Sequence, residues 1–118
     1  SWLAEHQPSE SGACLIHNDF KYDNLVLDAK QPGKIVAVLD WEMATLGDPL
    51  LDVGTSLAYW IEAGDHPAFK ALGLGMTALP GNLTRSELWE RYLKKSGRMQ
   101  RPATWYHAFG VFKVAVIA

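Results

Sequence analysis

Two short apolar runs, Leu25-Val26-Leu27 and Ile35-Val36-Ala37-Val38-Leu39, are rich in β-branched residues and predict strands. Gln31-Pro32-Gly33 lies between them and supplies turn chemistry, so the pair reads as a hairpin. Ala13 to Ile16 predicts another short, buried strand. After Asp40 the pattern gives a loop, Trp41 to Gly47, and then changes to helical spacing. Asp48 predicts an N-cap with Pro49 at the first helical position. Leu50, Leu51, Val53, Leu57, Ala58 and Ile61 carry that helix to about Ala63, with Gly64 ending it. Residues 64–83 are broken by Gly and Pro and predict an irregular connector, or a lid. Thr84-Arg85-Ser86-Glu87 is a capping box, opening a helix that turns Leu88, Trp89, Tyr92 and Leu93 inward and stops at Gly97. A last helix starts at Pro102 or Thr104, with Trp105, Phe109, Phe112 and Val116 at helical spacing. At the other end, residues 1–7 predict the tail of a helix stopped near Pro8, and Ser9 to Gly12 a loop.

Short strands followed by helices make the fold class α+β, a small sheet of two or three strands backed by helices. The 118 residues fit one modest domain or part of a larger one, and 48% hydrophobic residues suffice for a core. A net charge of −2 gives no global field for nucleic acid or a membrane surface. The single Cys14 forms no internal disulfide and reads as a small buried hydrophobe, as a reducing cytoplasm allows. The N-terminal SWLAEHQPSE lacks the basic and apolar regions of a signal peptide. The apolar run Ala108 to Ala118 is broken by Lys113 and is shorter than the roughly 20 residues a membrane helix needs, so it predicts a core helix. The chain starts at Ser1 in helix-like sequence and stops at Ala118 in a periodic stretch without a cap. It reads as an incomplete domain, a piece of a larger protein.

The chemistry concentrates just before the first hairpin strand, in His17-Asn18-Asp19-Phe20-Lys21-Tyr22-Asp23-Asn24, and just after the second, at Asp40. The hairpin would deliver Asp19, Asn24 and Asp40 to one place. That set suits phosphoryl transfer, which asks the protein mainly for positioning and charge neutralisation. Magnesium takes hard oxygen ligands, commonly one or two from the protein and the rest from phosphates and water, so Asn24 and Asp40 fit as its ligands. Asp19 fits as the base that orients an acceptor hydroxyl and takes its proton. Lys21 would reach the transferring phosphate as a point charge. His17 reads as a structural residue whose ring pins the loop backbone.

His17-x-Asp19-x-Lys21-x-x-Asn24 resembles the catalytic loop of protein kinases, and more closely the H-G-D-x-x-x-x-N loop of their aminoglycoside phosphotransferase and choline kinase relatives. The stretch LDWEMATLGDPLLD, from Leu39 to Asp52, is similar to the kinase-like domains that accompany acyl-CoA dehydrogenases and to their free-standing bacterial relatives. Asn18 stands where Gly or Arg is usual in the family, and Lys21 where many relatives have Arg or His. The resemblance implies the C-terminal lobe of a protein-kinase-like fold. It implies an ATP- or GTP-dependent, magnesium-requiring transfer of a γ-phosphoryl group to a small-molecule hydroxyl, with fusion to or association with an acyl-CoA dehydrogenase. It also makes Asp52 an anchor for the loop's backbone N–H groups, with Asp48 left as a helix cap.

The remaining residues carry less. Trp41, Tyr59 and Trp60 read as core or as walls of a substrate pocket, and Glu42 and Asp23 as solvated or structural. Arg85, Arg91, Lys94, Lys95, Arg98 and Arg101 read as a solvated helix face, with binding of a phosphate-bearing coenzyme A ester as the sharper reading. Gly73-Leu74-Gly75-Met76-Thr77-Ala78 has no preceding strand and is rejected as a nucleotide loop. No glycine-rich phosphate cover with a strand Lys occurs, so residues 1–118 alone are expected to be inactive. Two rival readings stay open: a nucleotide-binding module of the same fold without turnover, and a metal-dependent phosphatase using Asp19 and Asp40. An aspartate-nucleophile phosphatase would want D-x-D where Asp40-Trp41-Glu42 stands.

Overall fold

A computed structural model describes residues 1–71 and 75–117. Its elements are mixed, with short antiparallel strands preceding longer helices. Helix α1 (Trp2–Glu5) is a single turn capped by Ser1. Strand β1 (Cys14–Ile16) leads into the polar loop, which ends in a 3₁₀ turn at Tyr22–Asn24. Strands β2 (Leu25–Leu27) and β3 (Ile35–Val38) form the expected antiparallel hairpin, pairing Leu25 with Val38 and carrying a bulge between Val26 and Leu27. Asp28 shapes the turn, its Oδ1 accepting from the N–H groups of Lys30 and Gln31.

The loop predicted from Trp41 to Gly47 contains a further strand, β4 (Thr45–Gly47), paired antiparallel with β1. Among the described residues there are therefore two separate two-stranded ladders in place of one sheet of two or three strands. Strand β4 escapes a periodicity reading because it is three residues long and leaves Leu46 78% exposed. Cys14 is exposed, contrary to the interior position expected of it, because only Ile16 of β1 turns inward.

Helix α2 (Pro49–Tyr59) begins as the sequence predicts, with Asp48 accepting from the Leu50 N–H and Pro49 in the first turn. It ends four residues before the expected Ala63. Thr77 takes over the backbone just beyond the end, its hydroxyl accepting from the Ile61 N–H and donating to the Ile61 carbonyl. The Trp60 indole N–H donates to the Leu83 carbonyl. The irregular region holds the short helix α3 (Pro67–Lys70) and a 3₁₀ turn at Gly75–Ala78. Helix α4 (Arg85–Ser96) has the full capping box at Thr84 and Glu87, and a left-handed Gly97 at its end. Helix α5 (Thr104–Ile117) closes the described chain. Among the described residues, no helix is long and apolar enough to cross a membrane.

Leu50, Val53 and Leu57 of α2, Trp89 and Leu93 of α4 and Tyr106 of α5 make the core. Each such side chain contributes about 1.5–3 kcal/mol when fully buried. Helices α2 and α5 cross at a pair of glycines. A Cβ on Gly54 would lie 2.3 Å from the Tyr106 carbonyl oxygen, and one on Gly110 would lie 2.2 Å from that of Gly54. Backbone meets backbone there, which fixes where the last turns of α5 run relative to the polar loop.

Candidate active site

The loop between β1 and β2 is held by its backbone. Both oxygens of Asp52, in the first turn of α2, accept loop N–H groups: Oδ2 from His17 at 2.8 Å and Oδ1 from Asn18 at 2.8 Å. Asn18 takes the left-handed backbone, with φ of 70°. Gly and Asn tolerate that conformation best, which accounts for Asn in a position where Gly is common. Its side-chain amide donates to the Met43 carbonyl, 3.0 Å away. From α5, Lys113 Nζ donates to both the carbonyl and the side-chain oxygen of Asn18, at 3.0 and 2.9 Å. Burial lowers the pKa of the Lys113 ammonium below its usual value, with Asp52 and Asp19 opposing that shift.

His17 is 3% exposed and ties three segments together. Its Nδ1 accepts from the Asp19 N–H at 3.1 Å, and its Nε2 lies 2.7 Å from the Leu39 carbonyl oxygen. A backbone N–H can only donate, so Nδ1 is bare and Nε2 carries the proton it gives to Leu39. Both ring nitrogens are thus engaged by backbone. Trp41 packs edge-on against this ring with centroids 4.7 Å apart, while its indole N–H donates to the Val38 carbonyl. Trp41 remains 48% exposed, so it covers His17 without entering the core. The Leu39 N–H donates to the Asn24 carbonyl at 2.7 Å, which sets the two ends of the hairpin against each other.

These ties bring the loop carrying Asp19 and Asn24 to the segment carrying Asp40. The buried Asn24 side chain donates from Nδ2 to the Asp19 carbonyl at 2.7 Å and to Asp19 Oδ2 at 3.1 Å. Among the described residues the Asn24 amide oxygen makes no hydrogen bond, which leaves it available to a cation. Asp40 is exposed and left-handed, with φ of 62°. Among the described residues its carboxylate makes no hydrogen bond or ion pair. A hard amide oxygen and a carboxylate, on segments joined by the Leu39–Asn24 backbone bond, are donor types that suit magnesium, whose remaining ligands come from phosphates and water. Lys21 Nζ lies 3.8 Å from Asp19 Oδ1 and 4.4 Å from the centroid of the Tyr59 ring. Burial, then the charge and hydrogen-bonding reach of Asp19, push the Tyr59 phenol up to about 12.

Chemically, the arrangement offers a carboxylate oriented by an amide, an ammonium beside it, and two oxygen donors for a cation. Asp48 stands apart as a structural residue, accepting from the N–H and hydroxyl of Ser11 as well as from Leu50. Burial would raise its pKa, but these bonds and the charge of Arg101 hold it below the usual carboxylate value. Glu42 and Asp23 are exposed. A cavity of about 380 Å³ opens beside the loop, lined by Phe20, Lys21, Tyr22, Tyr59, Trp60 and Tyr92 among others. Tyr59 and Trp60, read from the sequence as core or pocket wall, are both half-buried here.

The basic cluster is divided. Arg91, Lys94 and Lys95 are exposed, but Arg85 makes a two-pronged pair with Asp65 at 2.6 and 2.8 Å. Arg98 and Arg101 donate to the carbonyls of Ser11 and Ser9. The solvated-face reading therefore holds for only part of the cluster. Gly73 and Leu74 of the rejected glycine motif lie outside the described residues. Ser56 and Lys113 also bond to the loop, a role the sequence does not assign to either. Their signal was present as polar residues within otherwise apolar helices.

A model of the phosphotransferase enzyme family matches residues 1–88, a span that includes the polar loop, the hairpin and all of α2. Acyl-CoA dehydrogenase family member 10 of Mus musculus is 35% identical over 119 residues, covering 98% of this chain and 11% of its own length. Acyl-CoA dehydrogenase family member 11 of Rattus norvegicus is 32% identical over 121 residues, covering 100% of this chain and 15% of its own length. The chain thus spans less than a sixth of the curated relatives it matches. The crystal structure of a candidate aminoglycoside phosphotransferase from Ralstonia eutropha superposes with a TM-score of 0.74 at 29% sequence identity. That match covers 98% of this chain and 35% of the other.

Proposed function

This chain belongs to the phosphotransferase enzyme family, and we propose that it supplies the catalytic half of an ATP-dependent, magnesium-requiring kinase acting on a small-molecule hydroxyl. Its architecture matches the kinase-like fold of aminoglycoside phosphotransferases. In the proposed reaction, one oxygen of Asp19 accepts the proton of the acceptor hydroxyl while the Asn24 amide fixes the carboxylate's orientation. The Asn24 oxygen and Asp40 would hold magnesium, which would supply charge neutralisation at the nucleotide phosphates. Lys21 neutralises the transferring phosphoryl group, and His17 and Asp52 keep the loop in shape.

The observation that carries this reading is the double tie at Leu39: its carbonyl receives the His17 ring and its N–H donates to Asn24. That tie couples the loop bearing the base to the segment bearing Asp40. The exposed apolar residues Val26, Leu27, Ile35 and Val36 support a reading in which a nucleobase and further polypeptide pack on the β2–β3 hairpin. The relatives support fusion to or association with an acyl-CoA dehydrogenase as the setting of this activity.

Titrating ATP consumption of the full-length polypeptide against magnesium, for wild type and Asp40→Asn, tests the reading. Loss of one carboxylate from a site with few protein ligands should shift the magnesium requirement upward by tenfold or more. An unchanged requirement would remove Asp40 from the metal site.

A further inference from the structure

Helix α2 meets the catalytic loop at three places, one turn or so apart. Asp52 takes the N–H groups of His17 and Asn18. Ser56 Oγ donates to the Phe20 carbonyl at 2.7 Å. The Tyr59 ring lies under Lys21, and its phenol is within the electrostatic reach of Asp19. Positions 52, 56 and 59 are spaced i, i+4, i+7, so they form one stripe on the helix surface. The stripe follows the loop in the loop's own direction, from its first residues to Lys21. Lys21 has an extended backbone, with φ of −152° and ψ of 168°.

We propose that Tyr59 is a positioning residue of the phosphotransfer site, its ring face seating the Lys21 ammonium beside Asp19. The proposal rests on the phosphotransfer reading above and adds a part that reading does not assign. Lysine is a flexible point charge that loses considerable rotamer freedom when it is fixed. A ring face 4.4 Å from the ammonium removes part of that freedom before nucleotide arrives. The same ring keeps the ammonium 3.8 Å from Asp19 Oδ1, longer than a direct hydrogen bond. Lys21 is therefore close to the base without being locked onto it. The half-buried phenol is held protonated through the working pH range, so its hydroxyl stays available as a donor to the Asp19 carboxylate.

The test uses the full-length polypeptide, with ATP consumption as the turnover readout and calorimetric affinity for magnesium–ADP as the binding readout. Tyr59→Met keeps bulk and loses the π face. It should lower turnover about tenfold with magnesium–ADP affinity within about threefold. Tyr59→Phe keeps the face and should recover most of that loss. The double variant Tyr59→Met, Lys21→Met should be no slower than Lys21→Met alone, because the seat matters only through its occupant. Wild-type turnover in Tyr59→Met, equal losses in the Met and Phe variants, or additive losses in the double variant would each overturn the proposal. Should Tyr59→Met fold poorly by melting temperature, a ring-fluorinated phenylalanine at position 59 keeps the shape and weakens the π face. Turnover equal to that of Tyr59→Phe would then refute the seat. Asp40→Asn runs alongside. If it is as active as wild type at limiting magnesium, the proposed metal site fails, and if neither consumes ATP the phosphotransfer reading itself fails, whereas an Asp40-dependent turnover indifferent to Tyr59 defeats only this inference.

Discussion

Replacing Gly110 by Ala tests whether the α2–α5 crossing holds the site together. The new Cβ would stand 2.2 Å from the Gly54 carbonyl oxygen, 2.7 Å from its carbon and 3.0 Å from the Thr55 nitrogen. All three are α2 backbone atoms, so no side chain can swing away. Moving from 2.2 Å to an ordinary contact of 3.4 Å separates the helices by about 1.2 Å. Overpacking of this kind costs about 1–3 kcal/mol. Ala in a helix interior returns up to about 1 kcal/mol over Gly. Because the obstructing atoms are all backbone, the cost lies in the upper part of that range, about 2–3 kcal/mol, and the net is a destabilisation of about 1–2 kcal/mol, concentrated on these two helices. Lys113 lies one turn beyond Gly110, so its bonds to Asn18 should loosen as well. Hydrogen exchange on the full-length polypeptide should show protection of the α2 and α5 amides falling about 5–30-fold. Unchanged or increased protection would mean that helix propensity governs this position and that the close approach is not a constraint.

Two further outcomes follow from named contacts. Lys113→Met removes the ammonium donor from the Asn18 carbonyl and should cost about 1–2 kcal/mol of local stability, read as faster exchange at the loop amides bonded to Asp52. The Arg85 guanidinium holds Asp65 down at about 2, below its ordinary value, so this pair stabilises the fold above the unfolded carboxyl range near pH 4. That contribution is lost as pH falls through about 2, and Arg85→Met should flatten the decline in melting temperature between about pH 4 and 2.

What could be read in advance was local. The capping box at Thr84 and Glu87, the N-cap at Asp48 and the hairpin turn each depend on residues a few positions apart, and each is present. The loop chemistry was legible for the same reason, since Asp19, Lys21 and Asn24 sit close together in sequence and Asp40 directly follows a β-branched run. The features that escaped depend on distant partners. Strand β4 exists because β1 lies alongside it, and α2 stops at Tyr59 because Thr77 takes the Ile61 backbone. Lys113 reads as an interruption in an apolar helix until the Gly54–Gly110 crossing aims it at Asn18. Tyr59 reads as one more aromatic residue until the rotation of α2 sets it beneath Lys21.

In the proposed reaction Asp19 serves the acceptor hydroxyl while Asn24 and Asp40 serve the metal–nucleotide. Asp19→Asn keeps the side chain's size and removes the negative proton acceptor. It should therefore separate turnover from binding. Proton-transfer assistance is worth about 10²–10⁴-fold, so phosphoryl transfer by full-length Asp19→Asn should fall by that order. Magnesium–ATP affinity, measured calorimetrically on the same variant, should stay within about threefold of wild type, because the proposed ligands are untouched. A joint collapse of turnover and affinity would make Asp19 a metal ligand or a structural support, and an unchanged turnover would contradict the catalytic role altogether.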